Sequence, residues 1–147
     1  MTAFRPEQSS RPSVALDTSV ASLFLGPRAG TTGYARLTRG YDLIMPAVAY
    51  AELEQGARIG GWGASKRRRF ERFLKRVTLL PVTKTTADHW ASLRFECRQR
   101  GIGNTENDAW IAAAALEVNC PLVSNDRIHL RMQIAVPHLQ VLSLLAP

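Results

Sequence analysis

Long apolar runs are missing from this sequence. Stretches such as 111–116 fall far short of the roughly 20 residues that a bilayer-spanning helix needs, so no membrane partner is expected. The first thirteen residues, MTAFRPEQSSRPS, contain arginines but no apolar core, so they are not expected to be a secretory signal. Cysteine is scarce: Cys97 and Cys120 are the only two. Two distant thiols build neither a disulfide framework nor a zinc site, and they suit a reducing, cytoplasmic setting. His89, His129 and His138 lack the spacing of metal ligands. Acidic residues are also few, 12 against 19 lysines and arginines, giving a formal net charge of +7. That excess favours a polyanionic partner such as nucleic acid, with simple solubility as the plainer alternative.

What is present is enough for a folded domain. The chain has 147 residues, 46% of them hydrophobic, which suits a single core and not a disordered chain. Residues 1–12, rich in Ser, Pro and Arg, read as a flexible N-terminal tail, and 13–147 as one domain. Short apolar runs at 14–16, 43–45 and 122–124, a segment at 77–82 and another at 139–144 read as strands. The stretches 47–58, 66–76, starting at 85 or 86, and 108–118 have helical patterning, while glycines at 26–33, 60–63 and 101 mark breaks. Strands alternating with helices predict a parallel sheet with helices on both faces. Short apolar strands without clean alternation suit burial on both sides.

In open parallel sheets, ligands bind beyond the carboxyl ends of the strands. Asp17 follows the first strand and Asp126 follows the 122–124 strand. Glu52 stands two turns into the helix after the second strand. Asp108 opens the Ala-rich helix that leads into the Asp126 strand. Each has an ordinary reading: Asp17 as a helix cap, Asp108 in a Thr-x-x-Asp capping box with Thr105, Asp126 in an Asn-Asp turn, and Glu52 as a surface residue. Together they point further, because Glu52 is embedded in AVAYAEL, where a charge is costly unless paired or bound. Clustered carboxylates repel one another, and a hard divalent cation relieves the repulsion. Oxygen-only ligands suit Mg²⁺ or Mn²⁺, and such an ion activates water and stabilises charge on a phosphoryl oxygen.

The segments VALDTSV, VAYAELEQGAR, NDAWIAAAAL and LVSNDRIHL resemble the four motifs of PIN-domain ribonucleases, most closely the VapC toxins of bacterial toxin–antitoxin pairs. The resemblance runs over about residues 13 to 145. It implies an α/β/α sandwich with a short central parallel sheet flanked by helices. It implies a catalytic, metal-holding quartet of Asp17, Glu52, Asp108 and Asp126, with Ser124 orienting the carboxylates or the attacking water, and Thr18 or Ser19 doing likewise beside Asp17. It further implies a Mg²⁺- or Mn²⁺-dependent endoribonuclease that hydrolyses phosphodiester bonds in RNA, a cognate VapB-type antitoxin and a homodimer. The sequence departs from the pattern after Asp126, where Arg127, Ile128, His129 and Leu130 stand in place of a further acid and an aromatic, and at Glu106, which adds a carboxylate.

Seven basic residues fall within 66–76, opposed only by Glu71. Helical spacing sets Arg68, Arg72, Lys75 and Arg76 opposite the Phe70–Phe73–Val77 stripe, so this face is expected to bind RNA and guide its backbone. A solvated helix face and a contact for an acidic antitoxin are the alternatives. Trp90 and Trp110 are expected to pack in the core, Trp62 to be available for RNA or a partner, and His129 to be structural. Two competing functions remain. A haloacid-dehalogenase-type phosphatase would need a second Asp at position 19, where Ser stands. A non-catalytic module would use the acids to bind a metal or a partner.

Overall fold

The structure is a computed structural model that describes residues 9–146. Most of the proposed N-terminal tail, residues 1–8, therefore lies outside the described residues. The remainder of that segment is tied down: Asp42 donates its backbone N–H to the Pro12 carbonyl at 2.9 Å, and Arg11 donates Nε–H to the Gly40 carbonyl at 3.3 Å.

Five strands form one parallel sheet: β1 (Ser13–Leu16), β2 (Asp42–Pro46), β3 (Val77–Leu80), β4 (Leu122–Val123) and β5 (Val141–Leu142). Their order across the sheet is β3-β2-β1-β4-β5. The chain thus lays β2 and β3 on one side of β1 and then crosses to lay β4 and β5 on the other. β1 and β4 are neighbours at that reversal, with Leu16 in register with Val123. Val14, Ala15, Leu16, Leu122 and Val123 have no exposure, as expected of strands covered on both faces.

Seven α-helices among the described residues flank the sheet in an α/β/α sandwich: α1 (Thr18–Leu23), α2 (Gly33–Leu37), α3 (Ala47–Ile59), α4 (Ala64–Leu74), α5 (Lys84–Gln99), α6 (Glu106–Glu117) and α7 (Arg127–Ala135). The expected sandwich is the observed one. The alanines of α6 explain its central place: Ala109, Ala112, Ala113 and Ala115 are fully buried together with Ile111. Small side chains let this helix lie close to the sheet. α5 ends as expected at Gly101, whose φ of +65° is open to glycine at little cost.

Some boundaries differ from the sequence expectation. β4 and β5 pair over two residues each, shorter than the 122–124 and 139–144 segments. Asp17 caps α1, as its ordinary reading had it. Trp90 and Trp110 stack at 5.0 Å between ring centroids, each only half-buried. Among the described residues no helix is long and apolar enough to cross a membrane.

Candidate active site at the carboxyl ends of the strands

Leu16 ends β1, and the chain turns into α1 with Asp17 as the N-cap residue. Asp17 Oδ1 accepts the Thr18 backbone N–H at 2.7 Å. The other oxygen, Oδ2, meets Ser19 Oγ at 2.8 Å, Ser124 Oγ at 2.9 Å and His129 Nδ1 at 3.4 Å. Only 4% of Asp17 is exposed, and Ser124 and His129 are fully buried. Position in the fold accounts for this meeting. Ser124 directly follows β4, the neighbour of β1, and the Asp17 N–H bonds the Val123 carbonyl at 3.0 Å.

Ser124 carries the network onward. Asp126 donates its backbone N–H to Ser124 Oγ at 3.1 Å, and Asp126 in turn caps α7, with Oδ1 accepting the Ile128 N–H at 3.0 Å. His129, one turn into α7, sets Nδ1 at 2.8 Å from Ser124 Oγ and Nε2 at 3.2 Å from the Asp108 carbonyl. The fourth acid joins through α1: Thr18 Oγ1 donates to Glu52 Oε1 at 2.8 Å. The network running through Thr18, Ser124 and His129 therefore joins the carboxylates of Asp17 and Glu52 and reaches Asp108 and Asp126 through their backbone.

Counting protons assigns their places. A carbonyl only accepts, so His129 Nε2 carries a hydrogen. Ser124 has one hydroxyl hydrogen, and it serves Asp17 Oδ2, which as a carboxylate oxygen only accepts. Ser124 Oγ then accepts from His129 Nδ1, which also carries a hydrogen, and the imidazole is cationic. Burial works against charge on both groups, yet the His129 contact and the two hydroxyl donors hold the Asp17 carboxyl below its usual value. Burial likewise opposes the His129 cation, but the Asp17 anion and the Asp108 carbonyl outweigh it and raise the imidazole above its usual value. The pair is an anchored anion against a buried cation.

The ordinary readings of the acids also hold in part. Asp17, Asp108 and Asp126 each serve a helix N-terminus, Asp108 through a capping box in which Thr105 Oγ1 lies 2.6 Å from Asp108 Oδ2. Three carboxylates at helix N-termini are favoured by the dipoles there. Glu52 is not an ordinary surface residue, being half-buried and bonded to Thr18.

No three His, Cys, Asp or Glu side chains among the described residues are gathered into a ready cage for a metal ion. The donor chemistry nevertheless suits a hard cation. Asp108 Oδ1, Asp126 Oδ2 and Glu52 Oε2 have no hydrogen-bond donor among the described residues, and Asp17 Oδ1 has one. Mg²⁺ binds through one or two carboxylates and keeps several waters, so an open set of free oxygens fits it better than an all-protein cage.

A family profile described as the PIN domain matches residues 14–134. The chain belongs to the PIN-domain family. Solved structures share the fold of this PIN domain over most of both chains. A chain of the VapBC2 complex from Rickettsia felis, bound to a DNA fragment from their promoter, superposes with a TM-score of 0.76 at 20% identity, covering 88% of this chain and 97% of that one. FitAcB from Neisseria gonorrhoeae gives 0.68 at 25% identity, with 87% and 95% covered. VapBC-5 from Mycobacterium tuberculosis, a member of the VapBC family of toxin–antitoxin systems, gives 0.67 at 24%, with 90% and 100% covered. No curated protein is significantly similar to this PIN domain in sequence.

Two network members carried no catalytic signal in the sequence. His129 stands three residues after Asp126, on the same side of a helix as Met132; that spacing signalled burial but not its partners. Tyr34, on α2, donates to Asn125 Oδ1 at 2.8 Å and so braces the turn between Ser124 and Asp126, and nothing in the local sequence marked it.

The basic stretch is placed by α4. Phe70 and Phe73 are buried while Arg68, Arg72, Lys75 and Arg76 are exposed, on the opposite face as expected. The row does not end at the acids, however. β3 begins at Val77, in register with Leu43 of β2, so Lys75 and Arg76 stand at the edge where the strands start, opposite to Asp17.

Proposed function

We propose that this PIN domain is a Mg²⁺- or Mn²⁺-dependent endoribonuclease, the toxin of a type II toxin–antitoxin pair, held in check by a VapB-type antitoxin. The observation that carries the reading is the Asp17 carboxylate, buried at the reversal point of the sheet, linked through Thr18 to Glu52 and through Ser124 and His129 to the backbone of Asp126 and Asp108. His129 offsets that buried charge, and the free oxygens of Asp108, Asp126 and Glu52 supply hard donors for a cation beside it. The bound cation would polarise the scissile phosphate and supply activated water. Asp17, Asp108 and Asp126 would hold it, with Glu52 either ligating or orienting water. Ser124 and His129 fix the Asp17 orientation. Exposed Arg68, Arg72, Lys75 and Arg76 would bind the RNA backbone. The VapBC complexes of similar fold support an antitoxin partner for this chain, and a homodimer is proposed with it.

Asp17→Asn tests the reading. It preserves shape and removes the anion, so cleavage of RNA with Mn²⁺ should fall by about 10²-fold or more, as for loss of a group that stabilises charge in the transition state. Far-UV circular dichroism should stay native-like. Cleavage at the native rate by the folded variant would refute the assignment. The open spacing of the acids favours one other reading, a PIN domain that binds a partner without catalysis. Antitoxin-free protein that cleaves no RNA with either ion would favour it.

A further inference from the structure

The edge of the sheet where strands begin carries a cavity of about 640 Å³, within the range of small-ligand sites. Ser13 and Asp42, the first residues of β1 and β2, line it, as does Thr78 of β3. By strand rise it is about 13 Å from Asp17, at the other end of β1. Arg11, Arg39 and Arg76 line it, against the single acid Asp42, with Arg11 Nε donating to the Gly40 carbonyl at 3.3 Å.

Three arginines, Arg58, Arg67 and Arg100, have carboxylate partners among the described residues. Arg67 meets Glu54 at 3.2 Å and Arg100 meets Glu96 at 2.7 Å. Among the described residues, Arg11, Arg39 and Arg76 lie in no ion pair with any carboxylate, and Asp42 in none with any cation. The cavity therefore holds an excess of two positive charges that the described protein does not neutralise. Guanidinium forks match phosphate oxygens in pairs. Phe24 and Tyr41 add aromatic surface to the walls, which suits a nucleobase better than an acidic side chain.

We propose that this cavity binds the phosphate of a nucleotide, either free or as one unit of an RNA strand. The site is separate from the acidic network and does not depend on catalysis. Isothermal titration in EDTA, which suppresses metal-dependent cleavage, tests it with 5′-AMP, adenosine, a short RNA and an oligo-aspartate peptide. The comparison protein is the Arg11→Gln/Arg39→Gln double variant; both side chains are exposed, and circular dichroism checks its fold. The expected result is that 5′-AMP or the RNA binds the wild type and binds the double variant roughly ten-fold or more weakly, as for loss of charge-assisted contacts, while adenosine does not bind. Loss of 5′-AMP binding identifies a free nucleotide, and loss of RNA binding without measurable 5′-AMP binding identifies a strand phosphate. The proposal is overturned if neither ligand binds the wild type, if both bind the variant equally well, if adenosine binds like 5′-AMP, or if oligo-aspartate binds more tightly than either. The last outcome would make the cavity a site for an acidic peptide.

Discussion

Ser124 has one hydroxyl hydrogen and three polar neighbours, and this shortage decides the charge on His129. With the hydrogen given to Asp17, the imidazole must donate from both nitrogens. The pair then leaves a pH signature in metal-free protein. His129 is raised above 6.5 in the folded state, so its contribution to stability is full below 6.5 and fades as pH climbs through the folded value. Asp17 is lowered below 3.8, so its contribution is full above 3.8 and fades as pH drops through the folded value. The pair stabilises most between 3.8 and 6.5. In EDTA, the urea midpoint of the wild type should therefore drop relative to a His129→Gln variant as pH is raised from 6.5. A gap between the two proteins that widens in favour of the wild type above that pH would contradict the cationic assignment.

Helix N-termini are the elements that aim this site. α1, α6 and α7 begin at Asp17, Thr105 and Asp126 as cap residues, and each cap places an acid at the strand-end edge. The α6 cap separates capping from catalysis. Thr105→Ala removes the acceptor of the Asp108 N–H and the hydroxyl that restrains Asp108 Oδ2. Stability should drop by about 1 kcal/mol, and RNA cleavage should weaken several-fold because Asp108 is freed to rotate. Thr83→Ala is the control. It removes the equivalent box of α5, which bonds Glu117 but none of Asp17, Glu52, Asp108 and Asp126, and should cost at least similar stability without loss of cleavage. Equal cleavage by both variants in denaturant-free buffer would show that the box serves α6 alone.

The same elements show what could be read in advance. Helical spacing revealed α3 and the buried face of α4, and strand–helix alternation revealed the parallel sheet. That Asp17 and Asp126 follow strands was visible too, because an apolar run ending in an acid is a local pattern. The length of β5 was not. Its apolar run continues past the pairing, and only the neighbouring β4 limits the ladder to Val141 and Leu142. Nor was the bond between Thr18 and Glu52, or that between His129 and the Asp108 carbonyl, since these join residues 34 and 21 positions apart. Such contacts are set by packing, which one-dimensional periodicity does not encode.

Over the whole molecule, the described charges are unevenly placed. The strand-end edge carries Asp17, and the exposed row of α4 ends at the strand-start edge, where Arg76 joins Arg11 and Arg39. A net charge of +7 draws RNA to the surface, but the field alone would not orient it. A row of arginines along one helix would, because each phosphate it neutralises releases a counterion. Binding of a single strand should then weaken with salt at a log–log slope of about −0.7 per phosphate contact. Replacing Arg68, Arg72 and Arg76 with glutamine removes up to three contacts, so in EDTA the slope should flatten by about 2. The same titration with Arg98→Gln and Arg131→Gln, exposed cations on α5 and α7, distinguishes a track from diffuse charge. If those two changes flatten the slope as much per residue as the α4 set does, RNA feels only the summed charge and α4 has no guiding role.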